Sequence, residues 1–303
     1  MQVSASGVQI EVDIHGADDG EPLLMIMGLG MQLIAWPDGL VEELVARGFR
    51  VIRFDNRDVG LSQPFDELGV PNIPVAALLH TLRLPLKAPY QIADLARDAV
   101  GVLDALGIAR AHVCGASMGG MIAQHLGFAH GQRVKSLTLM MTTSGHRSLP
   151  KESLKVRRAM LSRPRPASTP EQKFENVLDH YVGLYGVIGS PGYPAEPHTL
   201  RERIARGVKR AFRPQAVARQ LVAIAADTHR AERLHRITAP TLVIHGEADP
   251  LIPVAAAHDL ARRIPGAKLE LIPGWGHDLP EPLWPQLAAS IADIAARGDA
   301  SGG

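Results

Sequence analysis

The sequence has few of the residues that build disulfide frameworks and metal centres. Cys114 is the single cysteine among 303 residues, so an internal disulfide is excluded and a reducing compartment fits. The sequence also contains no H-E-x-x-H motif and no C-x-x-C pair, which are common signatures of metal sites, and no carboxylate cluster in it argues for a metal. We therefore expect no metal ion.

Long apolar runs and a strong net charge are absent as well. No segment approaches the roughly 18 consecutive apolar residues that a membrane span needs, and Met1–Ser6 lacks the basic and apolar regions of a secretory signal. The net charge is only +1, so no overall field would attract nucleic acid. These absences predict a cytoplasmic protein with no membrane or nucleic-acid partner, and they leave its oligomeric state open.

The most informative segment is Gly115–Gly119, which reads G-x-S-x-G. The apolar run Ala111–Cys114 before it predicts a strand, and Gly120–Leu126 after it predicts a helix. A serine flanked by glycines between a strand and a helix indicates a nucleophile elbow, a turn so sharp that neighbouring side chains would clash. Such a turn lifts the hydroxyl of Ser117 above the sheet edge, beside the unpaired N–H groups that begin the helix.

An acid and a histidine follow this serine at the ends of two further predicted strands. Asp249 comes soon after the β-branched run Pro240–His245, and His277 comes soon after the alternating run Lys268–Ile272. Each candidate thus stands just beyond the C-terminal end of a predicted strand, where an open α/β sheet places its ligands. Glu247, two residues before Asp249, is the alternative acid.

These residue types match the roles that acyl transfer requires. A serine hydroxyl is a poor nucleophile at neutral pH and needs a base within hydrogen-bonding reach. His277 would accept the proton of Ser117 and return it to the leaving group, while Asp249 would hold the imidazole in the productive tautomer. Of the 13 histidines, only His277 follows a predicted strand within a glycine-rich loop.

The chemistry also needs N–H donors at the developing oxyanion, each contributing roughly 3–4 kcal/mol. The amide of Met118, directly after the nucleophile, is the first candidate. We expect Leu29 to supply the second, because Gly28 and Gly30 let this loop approach closely. A dinucleotide-binding loop is the competing interpretation, but Leu33 stands where its third glycine belongs.

Strands and helices alternate along most of the chain, which predicts an α/β fold with a mostly parallel central sheet and helices on both faces. The predicted strands are Val8–His15, Pro22–Met27, Arg50–Phe54, Ala111–Cys114, Val134–Met141, Pro240–His245 and Lys268–Ile272. The predicted helices are Asp38–Arg47, Ile92–Leu106, Gly120–Leu126, Val254–Ile264 and Leu283–Arg297.

The alternation stops in residues 146–235, which read as helices interrupted by prolines. We interpret this stretch as a helical cap inserted into a core domain of residues 1–145 and 236–303. Between His146 and Gln220 it holds four lysines and eleven arginines against five glutamates and one aspartate. This excess of positive charge either belongs to an ordinary solvated helix face or steers an anionic substrate. Residues 300–303 are expected to fray.

The substrate pocket is expected between this cap and the sheet edge. Methionines near the serine would line a pliable acyl pocket, and tyrosines of the cap would form its roof, although packing in the core is the alternative for both groups. The residues assigned to substrate binding are Gly28, Gly30, Met121, Met141, Tyr181, Tyr185 and Trp275.

Together these motifs resemble the α/β-hydrolase superfamily over nearly the whole chain. Asp55–Ser62 is similar to that family's D-x-R-x-x-G-x-S turn, and Ser117, Asp249 and His277 stand at its triad positions. The resemblance implies the α/β-hydrolase fold with an inserted helical cap, no cofactor, and hydrolysis of carboxylic esters by a serine nucleophile.

A narrower resemblance is to bacterial esterases similar to aclacinomycin methylesterase. It is carried by Met27-Gly28, Trp36-Pro37 and Arg53–Asp58. The sequence as a whole therefore predicts an esterase for a small-molecule substrate. A lactonase or a hydrolase of carbon–carbon bonds next to a ketone would use the same triad, and a non-hydrolytic small-molecule receptor is the alternative from another class.

Overall fold

A computed structural model describes residues 1–300, and within them eight strands form one sheet. The strands are β1 Gln2–Ala5, β2 Val8–His15, β3 Glu21–Ile26, β4 Phe49–Phe54, β5 Ala111–Ala116, β6 Val134–Met140, β7 Thr241–Gly246 and β8 Lys268–Ile272. They lie in the order β1-β2-β4-β3-β5-β6-β7-β8. All seven predicted strands are present, with ends displaced by at most two residues.

The sheet is mostly parallel, as predicted. β1 pairs antiparallel with β2, and β2 pairs antiparallel with β4. From β4 to β8 every neighbouring pair is parallel. Because parallel strands end at the same edge, the loops that follow β3, β5, β7 and β8 meet there.

β1 is a strand that the sequence patterns do not reveal. It has only four residues, and a tight turn at Ser6 (φ 52°) and Gly7 (φ 83°) leads directly into β2. Four residues are too few for a periodic signal to stand out. Its pairing with β2 makes it the edge of the sheet.

Both faces of the sheet are covered by apolar packing. In β3, Leu24 and Ile26 belong to one core cluster, whereas Leu23 and Met25 belong to the other. Successive side chains of a strand point to opposite faces. A central parallel strand, which is buried on both faces, therefore has a continuous run of apolar residues.

The helices outside the cap are α1 Asp38–Val45, α2 Ile73–Thr81, α3 Ile92–Ala105, α4 Met118–Ala129, α9 Ala255–Arg263 and α10 Trp284–Ala300.

Five of these helices confirm the predictions, with ends that differ by a few residues. α2 is not predicted, since it is apolar around most of its circumference and lacks a helical periodicity. Of the segment expected to fray, only Ala300 belongs to the described residues, and it ends α10. Within residues 1–300, none of the helices combines the length and the hydropathy that crossing a bilayer would demand.

Four helices lie between β6 and β7, in the stretch interpreted as a cap. They are α5 Leu154–Leu161, α6 Pro170–Ile188, α7 Pro197–Arg210 and α8 Pro214–Ala226. Pro170, Pro197 and Pro214 each occupy the first position of a helix, where the missing N–H costs nothing. These three of the prolines that interrupt the sequence pattern therefore mark where cap helices begin.

Candidate active site

Ser117 lies on the turn between β5 and α4, at the edge where the parallel strands end. Its backbone angles, φ 55° and ψ −119°, are unusual for a residue with a side chain and cost about 1–3 kcal/mol. An ideal β-carbon on Gly119 would lie 2.0 Å from the carbonyl oxygen of Ile26, and one on Gly115 would lie 2.3 Å from that of Gly119. Gly119 is thus required for the turn to fit against β3, and Gly115 for β5 to fit against the start of α4.

The side chains of Ser117, His277 and Asp249 form a continuous hydrogen-bonded chain. Nε2 of His277 lies 3.0 Å from Oγ of Ser117, and Nδ1 lies 2.7 Å from Oδ2 of Asp249. All three residues stand in loops that follow parallel strands, as the sequence predicted for their positions. An imidazole between a hydroxyl and a carboxylate can take a proton from the hydroxyl while the carboxylate fixes its tautomer.

Asp249 is held in place as an ionised acceptor. Its Oδ1 accepts hydrogen bonds from the N–H groups of Leu251 and Ile252, both at 2.9 Å. Burial by itself would raise the pKa of Asp249, but the adjacent His277 and the Ile252 amide help to outweigh burial and hold the pKa below its usual value. Glu247, the alternative acid, is exposed. The structure therefore brings Asp249, and not Glu247, to the imidazole.

Two amide groups near Ser117 have no acceptor within residues 1–300. They are the N–H of Met118, which begins α4, and the N–H of Leu29. The backbone of Gly28 runs against the serine, since an ideal β-carbon there would lie 3.1 Å from Cβ of Ser117. Asn56 Nδ2 donates to the carbonyl of Met27 at 2.9 Å and so fixes the start of this loop. Both amides expected to form an oxyanion hole are thus left available.

The sequence also matches a known family over most of its length. The sequence profile described as the alpha/beta hydrolase fold matches residues 21–281. The chain belongs to this family. The predicted fold class and the predicted superfamily resemblance are thereby confirmed.

Relatives of the chain are hydrolases. It is 33% identical to rhodomycin D methylesterase from Streptomyces peucetius over 287 residues, which cover 89% of each chain. It is 29% identical over 280 residues to a 2-hydroxy-6-oxononadienedioate/2-hydroxy-6-oxononatrienedioate hydrolase from Cupriavidus pinatubonensis, covering 88% of this chain and 85% of that one. The likeness to a methylesterase agrees with the narrower resemblance found in the sequence.

A solved structure shares the fold. The enol-lactonase from Burkholderia xenovorans superimposes with a TM-score of 0.69 and 21% identity, over 98% of this chain and 100% of that one. At this level of identity the likeness concerns the architecture alone.

The residues assigned to the substrate pocket occupy different environments. Met121 and Met141 are buried, at 6% and 4% exposure, on the first turn of α4 and just after β6. Tyr181 and Tyr185 lie four residues apart on α6, which places them on one face of that cap helix. Trp275 is completely buried in the core cluster that includes β3, and its indole N–H donates to the carbonyl of Asp278 at 2.7 Å. Trp275 thus packs behind the histidine loop as a core residue.

The cap contacts the histidine loop through a residue pair that no sequence pattern indicates. Ser190 donates its hydroxyl to Oδ1 of Asp278 and accepts the N–H of Gly276 at 2.9 Å. The N–H of His277 donates to the carbonyl of Ile188 at 2.8 Å. Burial raises the pKa of Asp278 although Ser190 opposes this shift. The end of α6 therefore holds the loop that carries the imidazole.

Five of the fifteen lysines and arginines between His146 and Gln220 form ion pairs. Arg210 Nη1 lies 2.7 Å from Oδ2 of Asp55, which is fully buried. Arg206 lies 3.2 Å from Asp38, and Arg201 contacts carboxylates within the cap. Arg206 and Arg210, which the sequence predicts either to face solvent or to steer a substrate, thus connect the cap to the core.

A group of potential metal ligands lies far from Ser117 along β5. The ligand atoms of Glu21, His112 and Asp299 all lie within 4.8 Å of one another. The ammonium of Lys135 already contacts both carboxylates, with 2.8 Å to Asp299. The Lys135 ammonium thus occupies the place of a cation between the two carboxylates. This group lies at the opposite end of β5 from Ser117.

Proposed function

We propose that this protein is a serine hydrolase that cleaves carboxylic esters through an acyl-enzyme on Ser117. The observation that carries the proposal is the distance of 3.0 Å between Nε2 of His277 and Oγ of Ser117, with Asp249 at the other ring nitrogen. A hydroxyl, a base and an orienting carboxylate in this arrangement are the requirements for nucleophilic catalysis by serine.

The first half of the reaction forms the acyl-enzyme. Oγ of Ser117 attacks the ester carbonyl carbon as its proton passes to Nε2 of His277. The carbonyl oxygen becomes an oxyanion, which the N–H groups of Leu29 and Met118 stabilise. The tetrahedral intermediate then collapses, the bond to the alkoxy group breaks, and the imidazolium returns the proton to the departing alcohol.

The second half releases the acid. A water molecule takes the place of the alcohol, gives a proton to Nε2 of His277 and attacks the acyl carbon. The same two amides stabilise the new oxyanion, and its collapse returns the proton to Oγ of Ser117. Asp249 stabilises the imidazolium in both halves, and its lowered pKa keeps it ionised for this role.

An ester is favoured over the other substrates by the relationship to rhodomycin D methylesterase. The name of that protein describes removal of a methyl group from an ester, so methyl esters are the first substrates to test. A lactone or a carbon–carbon bond next to a ketone would require the same acyl chemistry. An anionic substrate stays a prediction of the sequence, although three arginines of the cap pair with carboxylates of the core.

Covalent labelling and burst kinetics test the mechanism directly. The wild-type protein should react with a fluorophosphonate at Ser117 and should release a burst of p-nitrophenol from p-nitrophenyl butyrate. Ser117→Ala should lower kcat by about 10⁶-fold, whereas Ser162→Ala, which alters an exposed serine of the cap, should not change it. Folded wild-type protein that shows neither labelling nor a burst would disprove the proposal.

Substrate class is resolved by a panel of matched methyl esters, lactones and ketones that differ only in the bond to be cleaved. Preferential turnover of the methyl esters supports the assignment. Tight binding of a panel member without turnover, unchanged in Ser117→Ala, would instead indicate a receptor.

A further inference from the structure

Gln220, on cap helix α8, makes a buried hydrogen bond to the loop that carries the Leu29 amide. Its side chain has 0% exposure, and its Oε1 accepts the N–H of Gly30 at 2.8 Å. The two residues are separated by 190 positions in the sequence. A cap residue thus holds the backbone next to one of the two amides assigned to the oxyanion hole.

The loop at this point is a tight turn with a defined central peptide. The N–H of Met31 donates to the carbonyl of Gly28 at 3.2 Å, so Leu29 and Gly30 are the two central residues. Gly30 has a φ of +65°, which is typical of the third position of a type II turn. The Leu29 N–H belongs to the peptide that directly precedes this central peptide, so a shift of the turn would displace it. The hydrogen bond from Gly30 to Gln220 fixes the central peptide and thereby opposes that shift.

The same helix also packs against the turn. An ideal β-carbon on Gly30 would lie 2.7 Å from Cγ2 of Val217. Val217 and Gln220 are three residues apart in α8, so they lie on one face of the helix. One turn of the cap helix therefore fixes Gly30 both by direct contact and by accepting its N–H.

The far side of the loop is held by the preceding cap helix. Gln32 Nε2 donates to the carbonyls of Gly207 and Ala211 at 2.7 and 2.8 Å, at the C-terminal end of α7. Arg210 Nη1 donates to Oε1 of Gln32 at 2.7 Å. Residues on both sides of Leu29 are thus held by the cap.

We propose that Gln220 is a positioning residue that holds the Leu29 amide of the oxyanion hole in its productive orientation. This inference rests on the proposed function. It assigns to the cap a part in the chemical step, in addition to covering the substrate. Because transition-state stabilisation depends on donors fixed in advance, loosening the turn should slow acyl transfer without weakening ground-state binding.

Gln220→Met tests the inference, since methionine fills a similar volume and removes the amide acceptor. With p-nitrophenyl butyrate, kcat should fall about 10-fold, less than the 10²–10³-fold effect of deleting a donor, while KM stays within about twofold. A boronic acid that adds to Ser117 as a tetrahedral adduct should lose affinity by a similar factor. Val217→Ala removes part of the packing on Gly30 and should also lower kcat, by a smaller factor. It provides the test if Gln220→Met does not fold.

Arg213→Met is the matched control. Arg213 directly precedes α8 and donates to the carbonyl of Ser62 at 2.9 Å, so it connects the cap to the core through a contact outside the Gly28–Met31 turn. The Arg213→Met variant should retain the kcat and the boronic-acid affinity of the wild type. The inference is overturned if Gln220→Met keeps its kcat, or if both variants lose kcat and affinity equally.

Failure of the proposed function gives a different result. In that case the wild-type protein itself is neither labelled by a fluorophosphonate nor active on esters. An active wild-type enzyme with an unaffected Gln220→Met variant refutes only the role of Gln220.

Discussion

Arg219 of the cap and Asp58 of the turn after β4 form a two-point ion pair, although both side chains have 0% exposure. Nη2 of Arg219 lies 2.8 Å from Oδ1 of Asp58, and Nε lies 2.5 Å from Oδ2. The hydroxyl of Tyr90 donates to the same carboxylate at 3.0 Å. Asp58 belongs to the D-x-R-x-x-G-x-S turn, so this motif anchors the cap to the core.

Removing one member of this pair should be strongly destabilising. Arg219→Met leaves the Asp58 carboxylate buried without its counter-ion, and we expect the free energy of unfolding to fall by about 3–5 kcal/mol. Adding Asp58→Asn should recover part of the loss, because it removes the uncompensated charge. Urea unfolding of the single and double variants measures both effects. A double variant that is less stable than Arg219→Met would contradict this account.

The contact between Gly119 and β3 predicts the outcome of a glycine substitution. A β-carbon on Gly119 would lie 2.0 Å from the backbone oxygen of Ile26, so Gly119→Ala must displace the elbow. We expect a loss of at least about 2 kcal/mol in stability and of more than about 10-fold in kcat.

The control for this substitution is Gly183→Ala on cap helix α6. A β-carbon there would meet no atom within 4 Å, and alanine favours the helix by up to about 1 kcal/mol. Thermal unfolding should therefore show opposite shifts for the two variants. Equal shifts in the unfolding temperature of the two variants would mean that the contact with β3 does not require glycine at position 119.

The lowered pKa of Asp249 predicts how stability responds to acid. Because its folded pKa lies below the ordinary value of 3.8, the carboxylate contributes stability that is fully present above that value and is lost as the pH falls through the folded pKa. In Asp249→Asn the side chain does not titrate. Between about pH 5 and about pH 3, the free energy of unfolding should thus fall more steeply in the wild type than in the variant. If the free energy of unfolding depends on pH equally in the wild type and in Asp249→Asn, the predicted contribution of Asp249 is refuted.

Cys114 should be unreactive in the folded protein. Its side chain is fully buried in β5, and burial raises the pKa of the thiol to about 12. With a disulfide reagent at about pH 8, the thiolate fraction and the access are both too low for reaction. The native protein should therefore show no titratable thiol, and the urea-unfolded protein should show one. Rapid labelling without unfolding would place the thiol at a mobile or exposed site.

Several features could be predicted because they depend on neighbouring residues. The strand, serine and helix of the elbow occupy one continuous segment, and the runs that form β7 and β8 end a few residues before Asp249 and His277. The hydrophobic periodicity and the turn-forming residues identify such segments without knowledge of the rest of the fold. The convergence of the three loops then follows from parallel strands that end at one edge.

Other assignments required contacts that no local pattern contains. The sequence analysis places Trp275 in the substrate pocket, but in the structure it lies in the core. The surplus of arginine in the cap was interpreted from its charge alone, whereas Arg219 pairs with a carboxylate 161 positions away. Sequence composition reports the presence of a charge and not its partner.

The sequence by itself determined seven of the eight strands, five of the six helices outside the cap, the sharp turn at Ser117 and the positions of the acid and the histidine. These features follow from local periodicity and backbone sterics. Only the tertiary structure decided which carboxylate faces His277, which arginines join the cap to the core and which cap residue holds Gly30. Those relationships connect residues up to 190 positions apart. They arise when burial forces polar groups to find partners across the chain.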